Sequence, residues 1–265
     1  EFRRVLFRSK FSRIFKNSDE VYIPKVYSEY NTKKILVMEK VNGTKLSDVE
    51  KIRRLGYNTK TIVEIGVRSF FTQVLSHGFF HADPHPGNIF VVAKNKIAYI
   101  DFGMIGIIDN KTLNQLNEIA LAGVEKNVDK IIYLLIEMDA LNGEADIKGL
   151  RQDLLYLIHY YYDISIEKIN VTDILNELFR FFRQYKIVMP AQFVTLAKTV
   201  ITLEGTSRTL NTDFSFGSMG KEFMKHHYKS KFNPKNVVLS SRQNVEEILL
   251  DIKTIPKQLK AILKN

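Results

Sequence analysis

The segment from His81 to Gly103 constrains this chain more than any other. Its first part reads His81-Ala82-Asp83-Pro84-His85-Pro86-Gly87-Asn88. Two prolines fix two φ angles and remove two N–H donors, which excludes a helix and sets rigid turns. Ile89 to Val92 and Ile97 to Ile100 then flank Lys94-Asn95-Lys96, the pattern of a tight β-hairpin. Asp101-Phe102-Gly103 closes the second strand. A hairpin returns the end of its second strand to the start of its first. Asp83, Asn88 and Asp101 are therefore expected to converge on one small volume.

Phosphoryl transfer from ATP needs that set of groups. One carboxylate orients or deprotonates the acceptor, and an amide with a second carboxylate holds Mg²⁺. Magnesium is a hard cation that prefers oxygen ligands, which Asn88 and Asp101 offer. Gly103 lets the chain turn after the metal ligand, and Phe102 is placed to pack beneath it. The order H-x-D-x-x-x-x-N, hairpin, D-F-G is that of a kinase catalytic loop and its metal-binding triplet. The bland alternative makes Asp83 and Asn88 turn caps and Asp101-Phe102-Gly103 an ordinary strand exit. A zinc alternative pairs His81 with His85, but the H-E-x-x-H geometry needs a helix and a Glu, and this loop has neither. His81 reads instead as a brace for the loop, and His85 as a residue of the acceptor side.

The flanks give an α+β chain with a β-rich start and a helical second half. Val21 to Met38 reads as two short strands joined by a turn, and Asn42-Gly43 as a further turn. Thr61 to His77 carries apolar residues at helical spacing and ends at Gly78. Helical patterns follow over Leu113–Val124, Val128–Met138, Leu150–Tyr162, Val171–Gln184 and Pro190–Glu204. The aromatic residues Tyr156, Tyr160, Tyr161, Tyr162, Phe179, Phe181 and Phe182 read as core rather than as the lining of a lipid groove.

Composition sets outer bounds. The 45% hydrophobic and 26% charged fractions are those of a globular chain, and the absence of cysteine excludes a disulfide scaffold and fits a reducing compartment. The net charge of +10 favours polyanions such as nucleotide phosphates or an anionic membrane surface. The basic residues are dispersed and Trp is absent, which argues against a nucleic-acid module. The opening stretch, Glu1 to Lys10, is basic and apolar-spotted and lacks an initiating Met. It reads as a cut or artefactual end, with a short amphipathic anchor as the alternative. Val245 to Lys264 alternates apolar and basic positions, as expected of an amphipathic helix packed on the lobe or lying on a membrane.

HADPHPGN, the hairpin and IDFGMIG closely resemble the UbiB/AarF family of atypical protein-kinase-like proteins, associated with ubiquinone and other isoprenoid-lipid metabolism. IPKVYSEYNTKKILVMEKVNGTKL, from Ile23, resembles that family's run into the interlobe hinge, and MPAQFVTLAKTVITLEGTSRTL its large-lobe helix. The resemblance implies a protein-kinase-like fold: residues 1–40 are the remnant of a small lobe, and residues 41–265 a mainly helical large lobe with a helical extension. It implies ATP and Mg²⁺ as cofactors, Asp83 as the catalytic-loop aspartate, Asn88 and Asp101 as magnesium ligands, and Met38, Glu39 and Val41 as the hinge that meets adenine. It further implies an ATP-dependent phosphotransferase or ATPase, cytoplasmic and peripheral to a membrane, with isoprenoid lipid or quinone-biosynthesis proteins as partners. The family's K-x-G-Q segment, strand lysine and paired helix glutamate have no match here, and Lys10, Lys16 and Lys25 read as solvated charges. Two other readings share the motif: a small-molecule kinase of the aminoglycoside-phosphotransferase kind, and a pseudokinase scaffold without chemistry.

Overall fold

The computed structural model describes residues 2–32, 34–141, 145–162, 164–165, 168, 170–210, 215–220 and 222–223. The amphipathic pattern at 245–264 lies outside them. The expected hairpin is the centre of the architecture. Strands β4 (Ile89–Ala93) and β5 (Lys96–Tyr99) pair antiparallel, with Ile89 opposite Tyr99. Strand β2 (Thr44–Lys45) adds antiparallel to β4, and β1 (Val21–Tyr22) adds parallel to β5, so the sheet order is β1-β5-β4-β2. A second, two-stranded sheet joins β3 (Phe79–His81) antiparallel to β6 (Ile105–Ile107).

The hairpin is held because its apolar positions meet a helix. Helix α3 (Thr59–Phe71) starts where the Asn58 side chain accepts from the Thr61 N–H, satisfying one of the helix's orphan donors. It buries Ile62, Ile65 and Phe70 in one cluster with Ile89, Val91, Ile97 and Tyr99 of the hairpin. Full burial of each such side chain contributes about 1.5–3 kcal/mol. Helix α1 (Phe2–Ile14) enters the same cluster through Phe11, and Phe15 just after it, Val21 and Ile23 join it. The residues before position 40 thus share a core with those after it. The basic N-terminal stretch is helical, and its continuation is anchored by these two rings.

Helices α4 (Asn110–Val124), α5 (Val128–Glu137), α6 (Ile147–Tyr162) and α7 (Val171–Gln184) surround a second cluster that includes Ile131, Leu135, Leu150, Leu154 and Phe181. Asp109, Asn127 and Asn170 cap α4, α5 and α7, each accepting from a first-turn N–H. Helix α8 (Ala191–Thr209) ties the two regions together. The buried Glu204 carboxylate accepts from the Val171 and Thr172 N–H groups at 3.1 and 2.6 Å, fixing the start of α7. One turn and a half earlier, the fully buried Thr199 hydroxyl donates to the Ala82 carbonyl at 3.2 Å. The fold is α+β, mostly helical with a small mixed sheet, as expected.

Two expectations need correction. The segments within Val21–Met38 do lie side by side, but only Val21–Tyr22 is a strand, paired to β5 and not to its neighbour in sequence. Lys34–Met38 meets Ile23–Tyr27 through the single bridge Val26–Met38 and two flanking backbone bonds. Pro24 has no N–H to give a ladder there. The aromatic run is also not uniformly core. Phe181 is buried, but Tyr156 and Tyr160 are 72% and 55% exposed and stack on each other along α6. Their spacing of four puts them on one helix face, and that face is turned to solvent.

Gly78 carries the turn from α3 into β3 with φ +53, and a Cβ there would lie 2.3 Å from the Ile108 carbonyl oxygen. Gly56 has φ +73 with nothing within 4 Å of its Cβ position. Gly56→Ala is expected to cost about 1–2 kcal/mol, the left-handed penalty alone. Gly78→Ala adds a backbone collision and should cost clearly more, read as the difference between the two variants in denaturant unfolding. Equal losses would show that β3 and the Ile108 strand end separate without penalty.

Candidate active site

The residues expected to form a catalytic loop are placed by backbone hydrogen bonds around one buried imidazole. His81 ends β3 at 2% exposure. Its backbone N–H donates to the Gln73 side-chain oxygen at 2.9 Å. Its Nδ1 accepts from the Asp83 N–H at 3.2 Å, so Nε2 carries the proton and donates to the Asp101 carbonyl. Burial holds the imidazole below its ordinary value of 6.5, against the opposing pull of the Asp101 carbonyl and the Asp83 and Asp101 carboxylates. His81 is therefore neutral at pH 7, as a group that must both accept and donate requires. Both ring nitrogens are occupied by backbone partners, which removes His81 as a zinc ligand.

Asn88 follows from the prolines. Pro86–Asn88 forms a single 3-10 turn in which His85 Nδ1 accepts from the Gly87 N–H at 3.1 Å. The Asn88 amide nitrogen donates to the Asp83 carbonyl at 3.4 Å. Its own carbonyl accepts from the Ile100 N–H at 3.1 Å, at the end of the hairpin next to Asp101. Asp101 caps its turn by accepting from the Gly103 N–H through Oδ1 at 2.8 Å. Phe102 is buried beneath, 4.8 Å from the Phe11 ring and 5.5 Å from the His81 ring. Asp83, Asn88 and Asp101 are thus linked to one another through backbone bonds, and all three are half-buried.

Of the residues expected at the hinge, Met38 reaches the same region. Arg8, buried in α1, donates to the Met38 sulfur and to the Ile100 carbonyl, both at 2.6 Å. Met38 therefore lies beside the strand end that carries Asp101. Burial pushes the Arg8 guanidinium down to about 10, and the Asp101 charge offsets part of this. The Glu39 side chain faces the other way: it accepts from the Tyr22 hydroxyl and from the Lys25 N–H at 3.1 Å. The Tyr22 hydrogen bond, with the Lys25 one, holds Glu39 below the usual carboxylate range. Its side chain braces the two segments, which leaves backbone groups for any ligand at this stretch. Val41 is half-buried. Of the lysines weighed in the sequence, Lys10 sits 4.0 Å above the Phe79 ring and Lys25 5.5 Å above that of Tyr27.

Among the described residues, no group of three or more His, Asp or Glu side chains forms a metal-binding cluster. Magnesium at a phosphoryl-transfer site does not need one: one or two protein oxygens complete a shell otherwise made of phosphates and water. The Asn88 amide oxygen and the second Asp101 oxygen fit that donor set. Sequence reasoning missed Gln73, Thr199 and the Ser69–Tyr99 pair, whose hydroxyls lie 2.6 Å apart in the core below His81. Gln73 lies on the π turn Thr72–Ser76 that extends α3, and such turns occur often at functional sites. Nothing in a single sequence marks an extra residue in a helix, and that insertion is what aims Gln73 at β3.

Residues 7–135 match the ABC1 atypical kinase-like domain and residues 154–215 the UbiB helical domain. An uncharacterized protein of Synechocystis is 32% identical over 89% of this chain and 41% of its own length. The protein named Probable protein kinase UbiB of Shewanella oneidensis is 32% identical over 85% of this chain and 42% of its own length. The chain thus spans about two-fifths of these relatives. Among solved structures, a Mycobacterium tuberculosis protein in complex with erythromycin, Rv3197, superposes with a TM-score of 0.58 over 84% of this chain and 57% of its own, at 15% identity. That likeness concerns the fold, which is kinase-like. Taken with the geometry above, these matches establish that the chain belongs to the UbiB/AarF family of ABC1 atypical kinase-like proteins.

Proposed function

We propose that this chain forms part of an ATP- and magnesium-dependent phosphotransferase or ATPase that supports ubiquinone or other isoprenoid-lipid biosynthesis at a membrane. The observation that carries the reading is the backbone-linked convergence of Asp83, Asn88 and Asp101 around His81. The Asp83 carboxylate orients the acceptor hydroxyl or water and takes its proton as the acceptor oxygen bonds to the γ-phosphorus and the bond from that phosphorus to the departing ADP oxygen breaks. Asn88 and Asp101 would hold Mg²⁺ through their side-chain oxygens, and the ion would offset charge on the phosphates. The Met38–Val41 backbone meets adenine. Because these groups are held by main-chain bonds, little reorganisation accompanies reaction, the condition under which fixed dipoles and charges are most effective.

Partners beyond the nucleotide, an isoprenoid lipid or quinone-biosynthesis proteins, and a cytoplasmic position peripheral to the membrane belong to the same proposal. Among the described residues, no helix is long and apolar enough to cross a membrane. Titration calorimetry with Mg-ATP, on this chain and on a version extended to the length of its relatives, tests the reading. Binding in the extended protein supports it, and absence of binding in both favours a scaffold.

Three outcomes are expected. Asp101→Asn lowers Mg-ATP affinity about tenfold or more, a loss of at least about 1.4 kcal/mol, while affinity for ATP without magnesium and thermal stability stay near the parent's. Asp83→Ala, in the extended protein, keeps nucleotide affinity and loses turnover by about 10²–10⁴-fold. Normal turnover there removes Asp83 from the chemistry. The third concerns pH. His81 binds its proton less readily folded than unfolded, so its contribution to stability is complete above its ordinary value of 6.5 and is lost as pH falls below it. The slope due to one such group approaches about 1.4 kcal/mol per pH unit. His77 shares the direction of shift, so the measurement is the slope of the parent minus that of His81→Gln between pH 6.5 and 5.5. Equal slopes would place the acid sensitivity elsewhere.

A further inference from the structure

The loop from α7 to α8 borders a groove that no part of the proposed phosphoryl transfer uses. It has a volume of ≈ 380 Å³ and is walled by Phe179 and Phe182 of α7, Ile187, Val188 and Met189 of the loop, and Val194 of α8. This is within the size class of small-molecule sites, about 300–1,000 Å³. Val188 and Val194 are 62% and 49% exposed, beside half-buried aromatic rings. An isolated exposed valine needs no explanation, but a contiguous apolar recess does.

The polar members of the wall are both cationic, Arg183 and Lys186, and no carboxylate lines the groove. Neither cation has an acidic partner among the described residues. The neighbouring ion pair, Arg180 with Glu177 at 3.1 Å, leaves both of them out. Arg183 in the last turn of α7 also complements the helix dipole, which accounts for one cation and not for the second. Lys186 stands at φ +53, a left-handed position that Gly or Asn occupies more readily. The Ile187 N–H to Phe182 carbonyl bond (2.8 Å) and the Val188 N–H to Ala140 carbonyl bond (2.8 Å) hold the loop in that shape. A long cationic side chain thus sits where the backbone favours a small residue, at the mouth of an apolar recess.

We infer that this groove binds a free amphiphilic carboxylate, with its hydrocarbon chain against Phe179, Phe182 and Val188 and its headgroup between Arg183 and Lys186. The chemistry is complementary at both ends: apolar wall to chain, unpaired cations to anion. The basic segment 253–264 of this same chain, with Lys253, Lys257, Lys260 and Lys264, is a poorer occupant because its charges would meet cations of the same sign.

Calorimetric titration of dodecanoate below its micelle concentration tests the site, with dodecyltrimethylammonium as the cation of equal chain length. The Arg183→Gln, Lys186→Asn double variant removes both charges, and asparagine tolerates the left-handed backbone. The expected result is dodecanoate binding to the parent at least tenfold tighter than the cation, and a tenfold or greater loss in the double variant at an unchanged melting temperature. Val188→Asp, a surface change, should abolish binding while leaving the melt intact. The inference is overturned if dodecanoate binds equally to the parent and both variants, if the cation binds as tightly, or if only anionic phospholipid vesicles and not monomeric dodecanoate are bound. It stands or falls independently of ATP turnover, because no readout passes through Asp83 or Asp101.

Discussion

One neutral imidazole organises the centre of this molecule. His81 accepts from the Asp83 amide with one ring nitrogen and donates to the Asp101 carbonyl with the other. A protonated ring would lose the first bond, and an exposed one would exchange both for water. Burial is what makes the arrangement hold, because in a low-dielectric surrounding an unmet donor or acceptor is costly. The rings of Phe11, Tyr99 and Phe102 close around the imidazole, with centroids 6.2, 5.5 and 5.5 Å away. The position of both acidic groups therefore depends on hydrophobic packing as much as on polar contacts.

That dependence runs outward through the fold. The backbone of His81 hangs on Gln73, Gln73 on the π turn at the end of α3, and α3 on the apolar face of the hairpin. From the opposite side, Thr199 of α8 holds the Ala82 carbonyl, and Glu204 on the same helix fixes α7. A kinase-like site needs few reactive side chains and much positioning. Most of the chain described here serves the second requirement.

The centre of this arrangement was legible in the sequence, for physical reasons. Proline restricts the backbone so strongly that HADPHPGN has few conformations, and a short apolar-turn-apolar run has little choice but a hairpin. Those two local facts bring Asp83, Asn88 and Asp101 together. Helices with an Asn or Asp cap and a periodic apolar face were equally plain. Val21–Met38 was less so, because β propensity says that a segment fits a sheet but not which strand it joins: Val21 and Tyr22 pair with β5 across a long sequence separation. Tyr156 and Tyr160 misled for a related reason. Periodicity fixes which residues share a helix face, and only the neighbouring helices decide whether that face is covered. Gln73, Thr199 and Glu204 left no mark at all, since their roles consist of long-range contacts to backbone groups.

The pairing of β6 with β3 begins at Ile105, almost immediately after Gly103, and α4 begins at Asn110. Chain that in many signalling kinases is a long loop is here zipped into a sheet, with Gly106 packed so tightly against Phe80 that a Cβ would fall 2.0 Å from the ring. A switch that works by ordering a loop needs slack to order. Between Met104 and Asp109 this molecule has none, so the stretch that follows the Asp101 carboxylate is set once, at folding. Any control over when the site works must arrive from outside that stretch.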